Sequence, residues 1–543
     1  MENSVAAETQ TPTTLREIGQ LPGPRGYPLV GNAFQIERSR LHQNIEAWGR
    51  EFGPVFRFRL GRRTIVALTD HEAVTAALRD RPDGFRRTRQ LESIGREMGL
   101  TPGLFSANGE AWRLQRRMVM AGFDPTHVKA YFPSLLKVTQ RLRGRWARAA
   151  RAGQSIELQP ELMRYTVDAI AGLAFGADVN TLESDAEVIQ QHLDKIFPAV
   201  FKRVFSMVPW WRWFPSAADR ALERSVASVN DAIAVFIRQA RERLGAEPAR
   251  RERPPNLLEA MIVAADAGGS GVTDLEVAGN VLTMLLAGED TTANTLAWMI
   301  DLLRRHPEAL QRAQAEVRAL GTDSAAFTPE QMASLDHLEA CAHETMRLKP
   351  VAPFQVIEAL RDTVVAGVRI PEGTPIWCVM RADSVDARYF PEPLAFRPER
   401  WLADAGTAHA ASSASSAKRV SMPFGAGPRV CPGRYLALLE IKMAMAMLLM
   451  HFDIAEVIPP DGADTTEQMA FTMTPVGLRM RLQLRARARA RLNDAGAGVQ
   501  AIGASARNAC SESAIRSSTA SRPIEKRTSA PRQAGRRRIE LRS

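Results

Sequence analysis

From Thr273 to His306 the chain contains no proline, and Pro307 is the first residue that must end a helix. Thr273 followed three residues later by Glu276 is the signature of a capped helix start. The pattern predicts one helix of about 30 residues, roughly 45–50 Å long. A helix this long and this apolar has to cross the core of a large domain and serve as its spine.

The remainder of the chain is consistent with such a core. Leu21 to Gly31 is a Pro/Gly-rich entry that cannot be helical. Val55–Leu60 and Thr64–Thr69 alternate as two short strands around Gly61-Arg62-Arg63, a hairpin. After Asp70 most of the sequence repeats apolar residues at three and four, the helical spacing. A second strand-rich patch spans Thr363 to Met380, with turns at Gly367, Pro371-Glu372-Gly373 and Pro375. Ala403 to Ala417 is an Ala/Ser/Gly/Thr stretch expected to form a surface loop. The fold class expected is mainly α with small β-sheets, as one large domain over residues 21–484. A polar, disordered segment is expected over 1–20 and a basic, disordered tail over 485–543.

Charge follows the same division. The chain has 71 Lys+Arg and 60 Asp+Glu, of which 14 and 4 fall from Arg485 onward. The body before Arg485 is therefore near neutrality, so its charge implies no nucleic-acid-gripping face there. The tail has no aromatic interleaving and no binding motif, so it is expected to be a flexible appendage. Four cysteines exclude a disulfide scaffold. The most apolar stretches, Val277–Gly288 and Tyr435–Met450, are too short or carry Asn280, Glu440 and Lys442, so no membrane span is expected. Residues 1–20 contain no secretory signal, and a cytoplasmic location is the simplest expectation.

The most informative chemistry lies in Phe424-Gly425-Ala426-Gly427-Pro428-Arg429-Val430-Cys431-Pro432-Gly433, followed by a helical run. Gly425 and Gly427 free the backbone for a close approach. Cys431 precedes a helix N-terminus, where free N–H groups favour a thiolate. Arg429 can reach an anion, and Phe424 can wall the sulfur. Cys341, Cys378 and Cys510 lack the spacing of a zinc or iron–sulfur site. Cys431 is thus a metal or cofactor ligand, or a nucleophile.

The frame Phe-x-x-Gly-x-Arg-x-Cys-x-Gly resembles the haem-binding loop of the cytochrome P450 monooxygenases. Three further motifs stand in that family's order. Glu344-Thr345-Met346-Arg347 is a Glu-x-x-Arg whose charges share a helix face. Phe396-Arg397-Pro398-Glu399-Arg400-Trp401 resembles the family's Pro-Glu-Arg-aromatic segment. Ala287-Gly288-Glu289-Asp290-Thr291-Thr292 sits in mid-spine, where polar groups are costly unless used. A small Gly288 there is expected to widen or kink a groove for a ligand. Trp112 and Arg116, one helical turn apart, are a weaker fourth sign.

The resemblance covers about Leu21 to Leu484 and implies the P450 fold with the following roles. Cys431 is the axial ligand of haem b, within a loop that includes Phe424 and Gly433. Arg429, Trp112 and Arg116 hold the haem propionates. Glu344, Arg347 and Arg400 form a buried structural network. Thr291 and Asp290 serve oxygen activation and proton delivery, while Thr292 packs or supports. The reaction implied is insertion of one oxygen atom of O2 into a lipophilic small molecule. No flavin, nicotinamide or iron–sulfur motif occurs, so electrons are expected from a separate ferredoxin or flavin reductase partner. The polar N-terminus looks like that of a soluble bacterial member.

One departure stands out: many relatives carry an Arg or His for a propionate where this chain has Val356-Ile357-Glu358. The aromatic turn Val208–Pro215 is expected to pack between helices, with peripheral membrane contact as the lesser use. A haem-thiolate peroxygenase or isomerase, and a non-catalytic haem sensor, are the alternatives. The Asp290–Thr291 pair weighs against both.

Overall fold

The computed structural model describes residues 15–123, 129–183, 189–402, 417–460 and 464–485. The expected loop over 403–416 and the expected tail after Arg485 lie outside them. The spine is continuous from Asp274 to Arg305, and its start is closed by the Glu276 carboxylate, which accepts from the Thr273 backbone N–H at 2.7 Å. Asn280 is satisfied inside the apolar stretch: it donates to Gln115 at 3.0 Å and accepts from the Leu104 N–H at 2.9 Å. The spine packs most extensively on the helix Leu158–Phe175, and also on Asp336–Leu348 and Arg434–His451. Gly288 faces the first of these, where an added Cβ would lie 3.2 Å from Ile170. It therefore serves close helix–helix approach and not the expected groove.

Among the described residues thirteen short strands flank the helices: β1 (Arg16–Glu17), β2 (Val55–Leu60), β3 (Arg63–Leu68), β4 (Phe85–Arg86), β5 (Ile156–Glu157), β6 (Phe354–Ala359), β7 (Thr363–Val365), β8 (Val368–Ile370), β9 (Pro375–Val379), β10 (Phe452–Ile458), β11 (Glu467–Met469), β12 (Met473–Pro475) and β13 (Arg479–Leu484). The main sheet has the order β2-β3-β9-β6-β4. The β2–β3 hairpin closes on Gly61-Arg62, with Leu60 opposite Arg63 and Gly61 at φ +58. β1 adds in parallel to β8, so the ordered chain begins before Leu21, and the expected disorder up to Gln20 is too long. A two-residue strand borrowed by a sheet edge leaves no periodicity in sequence.

The aromatic turn does not pack between helices as expected. Trp211 is drawn in by Glu97 and by Arg203 over its ring, but Trp210, Trp213 and Phe214 are 61%, 60% and 72% exposed. Among the described residues no helix is long and apolar enough to cross a membrane.

Candidate functional site

The Cys431 loop is a tight fold set against the start of the helix Arg434–His451. The Cys431 N–H donates to the Phe424 carbonyl at 2.9 Å, and Gly425 and Gly427 adopt φ +76 and +70. Only glycine fits at 427, because a Cβ there would lie 2.5 Å from the Leu78 carbonyl at the end of the helix His71–Arg79. Burial pushes the Cys431 thiol up, opposed by the Gly433 N–H bonded to sulfur and by Arg116 and Arg434 nearby. A bound metal ion would reverse that balance and take the sulfur as thiolate. Cys341 and Cys378 are fully buried, with thiols held protonated chiefly by burial, and behave as small apolar side chains.

The three charges expected to form a network do meet. Glu344 and Arg347 are wholly buried and joined by two bonds of 2.8 Å. Arg400 reaches Glu344 at 3.3 Å, and the Arg397 N–H and Trp401 indole donate to the same carboxylate. Arg347 also donates to the carbonyls of Ser384, Pro393 and Ala395, knitting the preceding loop to the helix Asp336–Leu348.

A cavity of about 940 Å³ opens beside the middle of the spine. Leu282, Leu286, Ala287 and Thr291 line it from the spine, with Phe105, Phe197, Phe354, Phe471 and Thr472 opposite or flanking them. Phe471 stacks on Phe197 at 4.3 Å from a backbone φ of +97, a strained position at the β11–β12 turn. The Thr291 hydroxyl donates to the Ala287 carbonyl at 2.7 Å. Asp290 accepts from Asn294 at 2.6 Å and from the Thr472 hydroxyl. Burial raises its carboxyl pKa, with Thr472 and Asn294 pulling the other way. Thr292 turns away from the cavity and bonds to buried Glu440.

A cluster of cations links the Cys431 loop to residues that line the cavity: Arg87 lines it directly, and Ala107 and Gln355, which bond Arg429 and Arg81, line it too. Arg429 donates to the Ala107 carbonyl and lies 4.9 Å over the Trp112 ring. Arg81 donates to Gln355 at 3.2 Å, and Arg87 to the Phe105 carbonyl at 3.2 Å. Burial, then the charges of Arg81 and Arg116, lowers Arg429 to about 9. Burial lowers Arg81 to about 10, and burial with Arg81 and Arg429 lowers Arg87 strongly. Arg116 is lowered by burial too. The Arg81 Nε and Nη2 and the Arg429 Nε are buried without a partner among the described residues. A buried cation with no carboxylate acting on it, as at Arg81, is costly, so this cluster is suited to receive an anion.

The family profile described as Cytochrome P450 matches residues 21–482. The chain belongs to the cytochrome P450 family. Probable cytochrome P450 4s3 of Drosophila melanogaster is 28% identical over 448 residues, covering 80% of this chain and 86% of that protein. Steroid 21-hydroxylase of Sus scrofa is 27% identical over 441 residues, covering 80% and 86%. A self-sufficient cytochrome P450 monooxygenase of Oidiodendron maius is 28% identical over 448 residues, but this chain spans only 39% of its length. The crystal structure of the cytochrome P450DA heme domain superposes with a TM-score of 0.73 at 25% identity, over 86% of this chain and 98% of that one. These sequence relatives are from an insect, a mammal and a fungus, and lend no support to the expected bacterial type.

A P450 haem fits the residues present: a sulfur ligand on one loop, and beside it guanidiniums whose unpaired N–H groups suit two carboxylates. Of the sequence-derived residues, Cys431, Arg429, Trp112 and Arg116 cluster together, Thr291 lines the cavity, and Asp290 lies behind its lining, bonded to Thr472. Phe424 and Gly433 frame the loop, and Glu344, Arg347 and Arg400 meet in one network. Sequence reasoning missed Arg81, Arg87, Trp401, Asn294 and Thr472. Arg81 and Arg87 lie among Arg79, Arg86 and Arg89, from which nothing local separates them, and of the five only Arg81 is fully buried. Thr472 is 182 positions from Asp290 and leaves no local signal.

Proposed function

We propose that this P450 is a haem-thiolate monooxygenase that places one oxygen atom of O2 on a lipophilic small molecule, using electrons from a separate ferredoxin or flavin reductase. The observation that carries the reading is the pair Arg81 and Arg429, with guanidinium N–H groups left without a partner among the described residues, set between the Cys431 loop and residues lining a largely apolar cavity that Thr291 also lines. Haem b, when bound with an axial thiolate, supplies reductive O–O cleavage and the oxidation of unactivated C–H bonds.

The chain's own groups do the rest. Cys431 offers its sulfur, with the Gly433 N–H, Arg116 and Arg434 favouring the thiolate. Arg429 and Arg116, with Trp112 packed beneath Arg429, orient the cofactor's carboxylates. Thr291 spends its proton on the Ala287 carbonyl, so its oxygen lone pairs are left for a proton donor in the cavity. Asp290 holds its proton more tightly than an exposed aspartate, and the protonated acid passes it on when the Thr472 hydroxyl, which lines the cavity, reverses its bond and accepts from Asp290 while donating into the cavity. Phe105, Phe197 and Phe471 exclude water and select a lipophilic substrate. The exposed Trp210, Trp213 and Phe214 offer a face for peripheral membrane contact. An acid held one hydrogen bond behind the cavity lining is superfluous in a sensor and in a peroxide-driven enzyme, which favours the monooxygenase.

The test is turnover with a surrogate ferredoxin, its reductase and NADPH on laurate, a monoterpene and a steroid, under oxygen-18 gas. One labelled oxygen atom in a product is expected. Product formed only with added peroxide, or carrying unlabelled oxygen, would overturn the reading.

A further inference from the structure

We propose that Arg81 holds a carboxylate of the porphyrin, taking over from the strand cation that this chain lacks at Val356-Ile357-Glu358. The inference rests on the haem reading above and concerns how this chain completes that site.

Three observations converge. The first is place. Arg81 follows the helix His71–Arg79, whose end lies against the Cys431 loop so closely that no side chain fits at Gly427. Arg81 is therefore fixed relative to the sulfur ligand by backbone contact.

The second is an unmet demand. Arg81 is 2% exposed, and among the described residues its Nη1 bonds to Gln355 while Nε and Nη2 are buried with no partner. These two groups lie along one edge of the guanidinium, the edge that receives a carboxylate by paired parallel bonds. Protein charge does not meet the demand. The nearest sulfur, Cys378, keeps its proton because burial pushes its thiol up to about 12. Arg87 and Arg429 repel Arg81, and the Glu92 carboxylate acts on Arg429 and not on Arg81. A guanidinium kept only to pack against Gln355 would leave a buried charge whose cost one amide bond does not offset.

The third is the partner. Gln355 lies on β6, adjacent to the Val356-Ile357-Glu358 segment where the cation is missing. Its amide also borders the Cys431 loop, with Nε2 3.3 Å from where a Cβ on Gly425 would be. Gln355 has no charge to offer a carboxylate. It acts as a positioning residue, its Oε1 aiming Arg81 from the opposite strand. The cation has moved from the sheet to the helix end, and an amide on the sheet holds it in place.

The test uses the holoprotein and three substitutions, Arg81→Gln, Arg81→Lys and Gln355→Leu. Two readouts apply: the rate of haem loss to excess apomyoglobin, and the propionate-bending bands in the resonance Raman spectrum. R81Q is expected to lose haem about tenfold faster or more, the effect of removing a charge-assisted bidentate pair. Its propionate-bending band should shift while the thiolate-type spectrum of the reduced CO form is kept. R81K should fall between R81Q and the parent, and Q355L should shift the same band by less. A propionate band unmoved in R81Q overturns the proposal, even if haem is lost faster, because a merely structural residue would loosen haem without touching that band. If R81Q does not fold, a band unmoved in both R81K and Q355L overturns it equally. A parent protein that binds no thiolate-ligated haem would bring down the haem reading, and this proposal with it.

Discussion

Glu344 shows what a single buried carboxylate can organise. It receives Arg347 twice, Arg400, the Trp401 indole and the Arg397 backbone, all without exposure of its own. Glu344→Ala would strand two cations in the interior, which costs about 3–5 kcal/mol. The expected outcome, read by chemical denaturation, is a midpoint far below that of the parent or no folded protein at all. The pairing of Glu344 with Arg347 was legible because i, i+3 places both on one helix face. The contributions of Trp401 and the Arg397 N–H were not, since they arrive from more than fifty positions away. Asp290 behaves differently. Burial raises its pKa, so it is ionised at a cost that folding bears above the ordinary carboxylate range. Asp290→Asn should therefore leave the melting temperature unchanged or higher at neutral pH, while turnover falls by roughly 10²-fold, the usual worth of a proton-transfer group. A variant that loses stability and activity together would contradict this separation.

At the level of elements, the spine was readable because its cap, its period and the proline beyond it agree from Thr273 to Pro307. Gly288 was misread because composition reports a small residue but not the face it occupies, and that face is the one against Ile170. The helix Arg434–His451 holds a second lesson. Glu440 counted in sequence as a reason against a membrane span, yet it is buried, bonded to Thr292, and its pKa is pushed by burial from 4.5 up to about 8. The folded chain thus binds this proton more tightly than the unfolded chain. Stability from this group declines as pH rises from about 4.5 to about 8, and the decline is complete above that range. Glu440→Gln should match the parent in melting temperature near the acid end of this window and exceed it at the alkaline end. Parallel pH profiles for the two proteins would refute the assignment.

Across the whole molecule, the ends of the domain are tied by charges that no local reading could find. Glu467, before the β11–β12 turn, takes His42 at 2.8 Å, Lys349 at 2.6 Å and Arg381 at 2.9 Å, and Arg381 in turn grips Glu46. Burial acts to raise the Glu467 pKa, but His42, Arg381 and Lys349 outweigh it and hold the carboxyl well below its usual range. This network therefore stabilises the fold above the ordinary glutamate pKa and is lost as pH falls through the depressed value. Glu467→Gln should lower the melting temperature at neutral pH, with the gap closing in acid. The fold class and the Cys431 frame could be read from sequence because they rest on periodicity and a ten-residue motif. The cavity and the cationic cluster linked to it could not, because they are assembled from segments as distant as Arg81 and Gln355. The central claim is that this assembly holds haem through the Cys431 sulfur. Its most direct test is the absorption spectrum of the dithionite-reduced protein with and without carbon monoxide. A strongly red-shifted Soret band, lost in Cys431→Ser, is the predicted result. A histidine-like band, or no haem band in well-folded protein supplied with haem, would contradict it.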